Sequence, residues 1–208
     1  MTLAQSLVAF ALAGGLLTVT PGVDTLLVLR TATVEGRRPA AFAALGIGAG
    51  CLAWGAAVAL GMGALFAAAP LLFDAVRWAG AAYLAWIGLG LLVRPRAALA
   101  IDAERGGAGG TALLWWRRGF VTNLLNPKVG IFYLSFLPQF VPPGHAAAGF
   151  IFLLAALHVL MGLIWFAGLI AATAPIARLL ERPATVRAMD RACGALFVGL
   201  GVKLALTR

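Results

Sequence analysis

Apolar residues fall into six runs, at roughly residues 3–29, 40–68, 70–93, 117–141, 146–173 and 188–206, separated by short polar or charged gaps. The stretch from Ala40 to Ala69 holds no charged residue at all. A helix needs only about 20 such residues to cross roughly 30 Å of hydrocarbon. The pattern therefore predicts an all-α integral membrane protein of about six transmembrane helices. The first run, within MTLAQSLVAFALAGGLLTVT, has no positive leading segment and is too long for a signal-peptide core, so it is read as a retained span.

The gaps differ in charge. Those at Pro70 and at Pro142 to His145 carry no Asp, Glu, Lys or Arg. The other three carry Arg30, Arg37 and Arg38; Arg94, Arg96, Arg105, Arg117 and Arg118; and Arg178, Arg182, Arg187 and Arg191, together twelve of the sixteen basic residues. The positive-inside rule makes loops 30–39, 94–118 and 174–191 cytoplasmic and puts both termini outside. Lys203 and Arg208 pull mildly the other way, although end charges of this kind snorkel to the interface. Within the third gap, DAERGGAGGT is a Gly-rich polar stretch with the composition of a flexible linker. It divides the chain into a first three-helix repeat (1–93), a cytoplasmic linker (94–116) and a second three-helix repeat (117–208). Three is odd, so the second set enters the membrane from the opposite side, a plan common among secondary transporters.

Composition narrows the function classes. With 62% hydrophobic and 11% charged residues, the chain has more apolar surface than one soluble core of this size hides. Its net charge of +9 is spread over gaps rather than gathered on a basic face, which argues against nucleic acid as a partner. Two cysteines, Cys51 and Cys193, are too few for a disulfide scaffold or a zinc site. No Walker motif is present, so neither ATP nor any cofactor is expected.

Two of the runs are interrupted alike. The first reads LLTVTPGVDTLLVLR (16–30) and the fourth GFVTNLLNPKVGIFYLSF (119–136), so that Pro21 and Pro127 align, each after a polar residue, Thr20 or Asn126, and each shortly before an ionisable one, Asp24 or Lys128. Proline removes a backbone donor and opens the helix. In hydrocarbon the freed groups need partners in protein or in a water-filled cavity, which makes paired breaks the expected place for a solute site. A charge at depth points the same way, since it is expensive unless paired or hydrated. The candidate substrate-binding or coupling residues are therefore Thr20, Pro21, Gly22, Asp24, Arg30, Asn123, Asn126, Pro127 and Lys128. Lys128, Arg30 or the amides of a half-helix start suit a carboxylate. Asp24 suits an ammonium, or carries the proton of an antiport cycle. The alternative is that the prolines merely kink packed helices and the two charges lie at the interface.

At these residues the chain resembles the LysE/RhtB family of bacterial amino-acid exporters, through TPGVD at 20–24, EGRR at 35–38 followed by the Gly46–Gly50 stretch, and NLLNPKVGIFYLSFLPQFV at 123–141. The resemblance spans essentially the whole chain. It implies a bacterial inner-membrane protein that is not an enzyme and that exports amino acids or related small metabolites by secondary, proton-coupled transport. The family usually carries a second proline where this chain has Val23.

Other readings stay open on the sequence. A thiol-disulfide relay through Cys51 and Cys193 would need its thiols within bonding distance. A divalent-metal exporter would rely on Asp24 alone, poor coordination for a hard cation. Gly46 and Gly50 permit a close helix contact, within the protomer or at a homodimer seam. Asp74 and Arg77 are expected to pair on one helix face. His158 is either a hydrogen-bonded packing residue or a proton relay. Trp115 and Trp116 are expected in an interfacial belt, and 177–194 is read as a cytoplasmic connection, the alternative being an amphipathic surface helix interrupted by Pro183.

Overall fold

A computed structural model describes residues 2–68, 70–95, 110–174 and 182–206 of the chain. These form helices α1 (Leu3–Val19), α2 (Val23–Val34), α3 (Arg37–Ala68), α4 (Pro70–Val93), α5 (Ala112–Leu124), α6 (Pro127–Phe136), a 3-10 turn (Leu137–Phe140), α7 (Ala147–Ala171) and α8 (Pro183–Leu206). No strand occurs among the described residues. The all-helical expectation holds, and helices cover each predicted run. By length and apolar composition Arg37–Gly61 and Ala147–Ala171 each suffice to cross a membrane, and α1 with α2 adds a third crossing if that pair, bent by 52°, is one span. The last helix begins at Pro183, so the part of 177–194 from Pro183 onward is helix rather than connection. Positions 178 and 96–109 lie outside the described residues, as do the side chains of Asp74, Arg77 and Lys203.

Local chemistry sets the helix ends. Thr2 and Gln5 form a reciprocal cap at the start of α1, with Thr2 N–H donating to Gln5 Oε1 (2.9 Å) and Gln5 N–H to Thr2 Oγ1 (3.3 Å). The α1 helix stops at Thr20, held extended (φ −71°, ψ 117°) because the following proline disfavours the helical region for its neighbour. Gly36 takes φ +97° and its amide donates back to the Thr31 carbonyl at 3.0 Å, a glycine-terminated helix end that turns α2 into α3. Hydroxyls inside the apolar segments bond to the carbonyl one turn back, Thr18 to Gly14, Thr20 to Leu16 and Thr31 to Leu27, at 2.6–2.8 Å.

Lipid-like surroundings supply no hydrophobic drive between helices, so association rests on close packing of small residues. Helix α3 packs on α5 and α7, and α4 packs on α8. Gly46 lies against the Trp116 carbonyl and Gly119 against the Ala43 carbonyl, so a Cβ at either would overlap backbone. A Cβ at Gly50 would sit 2.6 Å from Asn123 Oδ1. The Gly46–Gly50 pair thus serves packing within the protomer. On the other side, a Cβ at Gly194 would sit 2.7 Å from the Gly88 carbonyl, and one at Gly201 2.8 Å from that of Ala81. The α5 residues facing α3 recur at Trp115, Gly119 and Asn123, one per turn. That period buries Trp115 instead of placing it in a lipid-facing belt, and the Arg118 guanidinium lies 4.5 Å from its ring. Outward faces are apolar, with Leu12, Leu60 and Trp86 each more than two-thirds exposed, as lipid contact requires.

Candidate functional site

Both breaks end in a helix start, and their registers match. Gly22, Val23 and Asp24 are the cap, first and second residues of α2; Asn126, Pro127 and Lys128 hold the same places in α6. In this register Asp24 corresponds to Lys128, and Pro127 corresponds to Val23 rather than to Pro21. The difference from the sequence alignment has a simple cause. Proline fits the first helical position, where the missing N–H would have no partner, so Pro127 opens a helix, while Pro21 lies inside the first break and ends one.

The side chains converge. Asp24 Oδ2 accepts from Asn123 Nδ2 at 2.8 Å and from Asn126 Nδ2 at 3.3 Å, joining α2 to both sides of the second break. Asn123 Nδ2 also approaches Cys51 Sγ on α3 at 3.4 Å. Asn126 caps its own helix, its Oδ1 accepting from Lys128 N–H at 3.1 Å. Lys128 Nζ reaches back across to the first break and donates to the Thr20 carbonyl at 3.4 Å. Each break is therefore held by the charged residue of the other.

Two acceptors remain. Asp24 Oδ1 and Asn123 Oδ1 are buried with no hydrogen-bond partner, a costly state for a carboxylate unless a ligand or water supplies a donor. The α2 start differs from that of α6 in having a glycine cap and hence no side-chain bond to its leading amides. Those amides have no partner within the helix and carry the positive end of its dipole.

These groups border one cleft of about 70 Å³, lined by Thr20, Gly22, Asp24, Asn126 and Lys128 and walled by residues of α3 and α7. That is room for several water molecules or one small solute. Of the candidate residues, Thr20, Gly22, Asp24, Asn126 and Lys128 are thus brought together, and Asn123 joins them through Asp24. Pro21 is buried at the break but does not line the cleft, and Pro127 contributes backbone shape. Arg30 lies six residues beyond Asp24 on α2 and is not among the cleft residues. The sequence undervalued the walls: Gly48 and Cys51 on α3, and His158, Gly162 and Phe166 on α7. His158 is hydrogen-bonded, its Nδ1 lying 2.9 Å from the Tyr133 hydroxyl, as expected of a packing residue, and it also lines the cleft. Only its polarity inside an apolar run signalled it; the glycines carried no signal. Cys51 and Cys193 are free and buried on separate helices. No group of three His, Cys, Asp or Glu gathers among the described residues.

Asn126 has two tasks, capping α6 and bonding Asp24. Asn126→Ala removes a cap worth ~1 kcal/mol. Thermal unfolding in detergent is expected to fall by ~2–4 °C on that account, together with a loss of transport; an unchanged melting temperature would show that the cap contributes nothing.

The profile of the LysE type translocators matches residues 16–208. Over 200 residues, 96% of both chains, the sequence is 30% identical to the homoserine/homoserine lactone efflux protein of Salmonella typhi. It is 33% identical over 192 residues to the leucine efflux protein of Enterobacter sp. (strain 638), covering 89% of this chain and 88% of that one. An uncharacterised membrane protein of Pseudomonas aeruginosa is 35% identical over 193 residues, 89% of this chain and 88% of its own. No solved structure matches.

Proposed function

Because this chain belongs to the LysE type translocators, a family of membrane transporters rather than enzymes, we propose that it exports amino acids from the bacterial cytoplasm across the inner membrane. The observation that carries the reading is the pairing of Asp24 and Lys128 at matching helix starts in one cleft, with Asp24 Oδ1 and Asn123 Oδ1 unpartnered. An α-amino acid bears an ammonium and a carboxylate a few ångströms apart. Asp24 Oδ1 suits the ammonium, while Lys128 Nζ and the uncapped amides of α2 suit the carboxylate. The relatives named for efflux of homoserine, its lactone and leucine support this solute class.

We further propose that transport is exchange with protons. Asp24 Oδ1 accepts either the solute ammonium or a proton, and the two exclude one another. Mutual exclusion at one atom gives antiport when the empty carrier does not reorient: unloading the solute outside leaves the carboxylate to take up a proton, which it carries inward.

The alternating motion is assigned to two inverted three-helix sets, residues 1–93 and, since α5 already begins at Ala112 rather than after 116, residues 112–208. The packing supports this. Helix α3 lies on its counterpart α7 and α4 on α8, while α5 packs on α3 as α1 packs on α7. Loops 30–39, 94–118 and 174–191 then face the cytoplasm and both termini face outward, as the distribution of arginines requires.

Counterflow in proteoliposomes with labelled amino acids, with and without a pH gradient, tests the proposal. Exchange of at least one amino acid, driven uphill by an imposed gradient, is the expected result; no exchange of any would overturn the export reading, and exchange indifferent to the gradient would remove proton coupling. Lys128→Gln keeps a donor for the Thr20 carbonyl but loses the charge. A charged hydrogen bond contributes ~1.5–3 kcal/mol, so KM for the solute is expected to rise by about ten- to a hundredfold, measured as initial rates in the same vesicles.

A further inference from the structure

The walls of the cleft carry information beyond the general class of solute. Asp24 and Lys128, the formally charged residues lining it among those described, are both engaged by the backbone charges of an amino acid if the proposed function holds, and the present inference rests on that reading. The other titratable liners are held by neighbours: Cys51 by Asn123 Nδ2 at 3.4 Å and His158 by the Tyr133 hydroxyl at 2.9 Å. Beside the hydroxyls of Thr18 and Thr25, what remains for the solute side chain is hydrocarbon, Leu17, Ile47, Leu163 and Phe166 among it. Ile47 and Phe166 belong to one buried apolar cluster with Val28, Ala44 and Leu169, so this wall is backed by packed hydrocarbon. A second charge on the solute would enter there without a counter-ion, at a cost that a neutral side chain escapes.

Two positions in these walls, Gly48 on α3 and Gly162 on α7, have no side chain of their own. Gly162 lies one helical turn after His158 and one turn before Phe166, both cleft residues on the inward stripe of α7. A Cβ built on Gly162 meets nothing within 4 Å, in contrast to Gly48 opposite, where it would sit 3.2 Å from Val159. The space in front of Gly162 is therefore open cleft, and the stripe that it shares with His158 and Phe166 aims any added side chain into it.

We propose that the cleft selects amino acids with uncharged aliphatic side chains and that Gly162 sets how large that side chain can be. Gly162 is then a specificity-determining residue, acting by its absence of volume, and Phe166 forms the far limit of the same space.

The test is counterflow in proteoliposomes with alanine, leucine, phenylalanine, lysine and glutamate, for the natural protein, Gly162→Val and Phe166→Ala. The natural protein is expected to exchange leucine at least about tenfold faster than lysine or glutamate. Filling a hydrophobic pocket by a methylene or more changes discrimination by roughly ten- to two-hundredfold, so Gly162→Val should lower the leucine-to-alanine ratio by about tenfold or more. Phe166→Ala should shift selectivity the other way, toward phenylalanine, an opposite change that misfolding does not produce. Unaltered ratios in both variants, or preference of the natural protein for lysine or glutamate, would overturn the inference while leaving amino-acid export intact. Absence of exchange by the natural protein would instead overturn the export reading and this inference with it.

Discussion

Asp24→Asn is expected to abolish export while leaving the protein folded. The asparagine oxygen can take the place of Oδ2 and keep both bonds from Asn123 and Asn126, 2.8 and 3.3 Å in the natural protein. Its amide nitrogen then stands where Oδ1 stood, aiming a donor at the position proposed for the solute ammonium. The charge, the acceptor and the proton-carrying site are lost together. Truncating one partner of a buried charged pair costs ~2–5 kcal/mol, and at ~1.4 kcal/mol per factor of ten the rate should fall by at least about thirtyfold. Stability should not fall with it, because the substitution removes a buried carboxylate oxygen that has no partner and uncompensated buried charge is destabilising. Counterflow and thermal unfolding on the same preparation separate the two effects. Undiminished exchange would remove Asp24 from the site.

Gly46→Leu should have the largest effect on the fold. The residue lies against the Trp116 carbonyl, and an added Cβ would also fall 2.9 Å from Phe120 N. Backbone on both sides leaves no flexible side chain to yield, so α3 and α5 must separate along the seam that includes Gly119 and Asn123. Overpacking costs ~1–3 kcal/mol and sometimes more, and parting these helices also lets Asn123 swing away from Asp24. For a chain of this size ~3 kcal/mol corresponds to a fall of ~6–12 °C in melting temperature. Gly149→Leu serves as the control, since a Cβ there meets nothing within 4 Å on an exposed face of α7. Equal melting temperatures for the two variants would mean that the α3–α5 seam does not hold the structure together.

How far the sequence was legible follows from the physics of each feature. Apolar runs are additive along the chain, so the helices could be read directly; the fourth run, expected at 117–141, proved to be α5, which already begins at Ala112, then α6 and a 3-10 turn, because Pro127 starts a new helix. The break residues Asp24, Asn126 and Lys128 were visible because ionisable and amide groups are rare inside apolar runs. Their crossed arrangement, with Asp24 bonded by Asn123 and Asn126 and Lys128 bonded to Thr20, depends on tertiary packing between segments about a hundred residues apart. Arg30 looked equivalent to Lys128 as a cation, but six residues along α2 carry it away from the cleft. Trp115 was expected to face lipid because tryptophan often does; the helical period shared with Gly119 and Asn123 turned it inward. Gly46 was legible from its spacing with Gly50, whereas Gly119 and Gly162 gain meaning only from the packing, a carbonyl against the first and open space before the second.

The central claim is that the cleft holds both charges of a zwitterion, and competition by single-charge analogues tests it most directly. In leucine counterflow, 4-methylpentanoate lacks the ammonium and 3-methylbutylamine lacks the carboxylate, while both keep the aliphatic chain. A site built to bond a polar group rejects analogues that lack it, because its own buried groups are left unpaired. Both analogues should inhibit at least about tenfold more weakly than unlabelled leucine, each lost charged hydrogen bond contributing ~1.5–3 kcal/mol. Inhibition by either analogue as strong as that by leucine itself would contradict the assignment of Asp24 and Lys128 to the two ends of the solute.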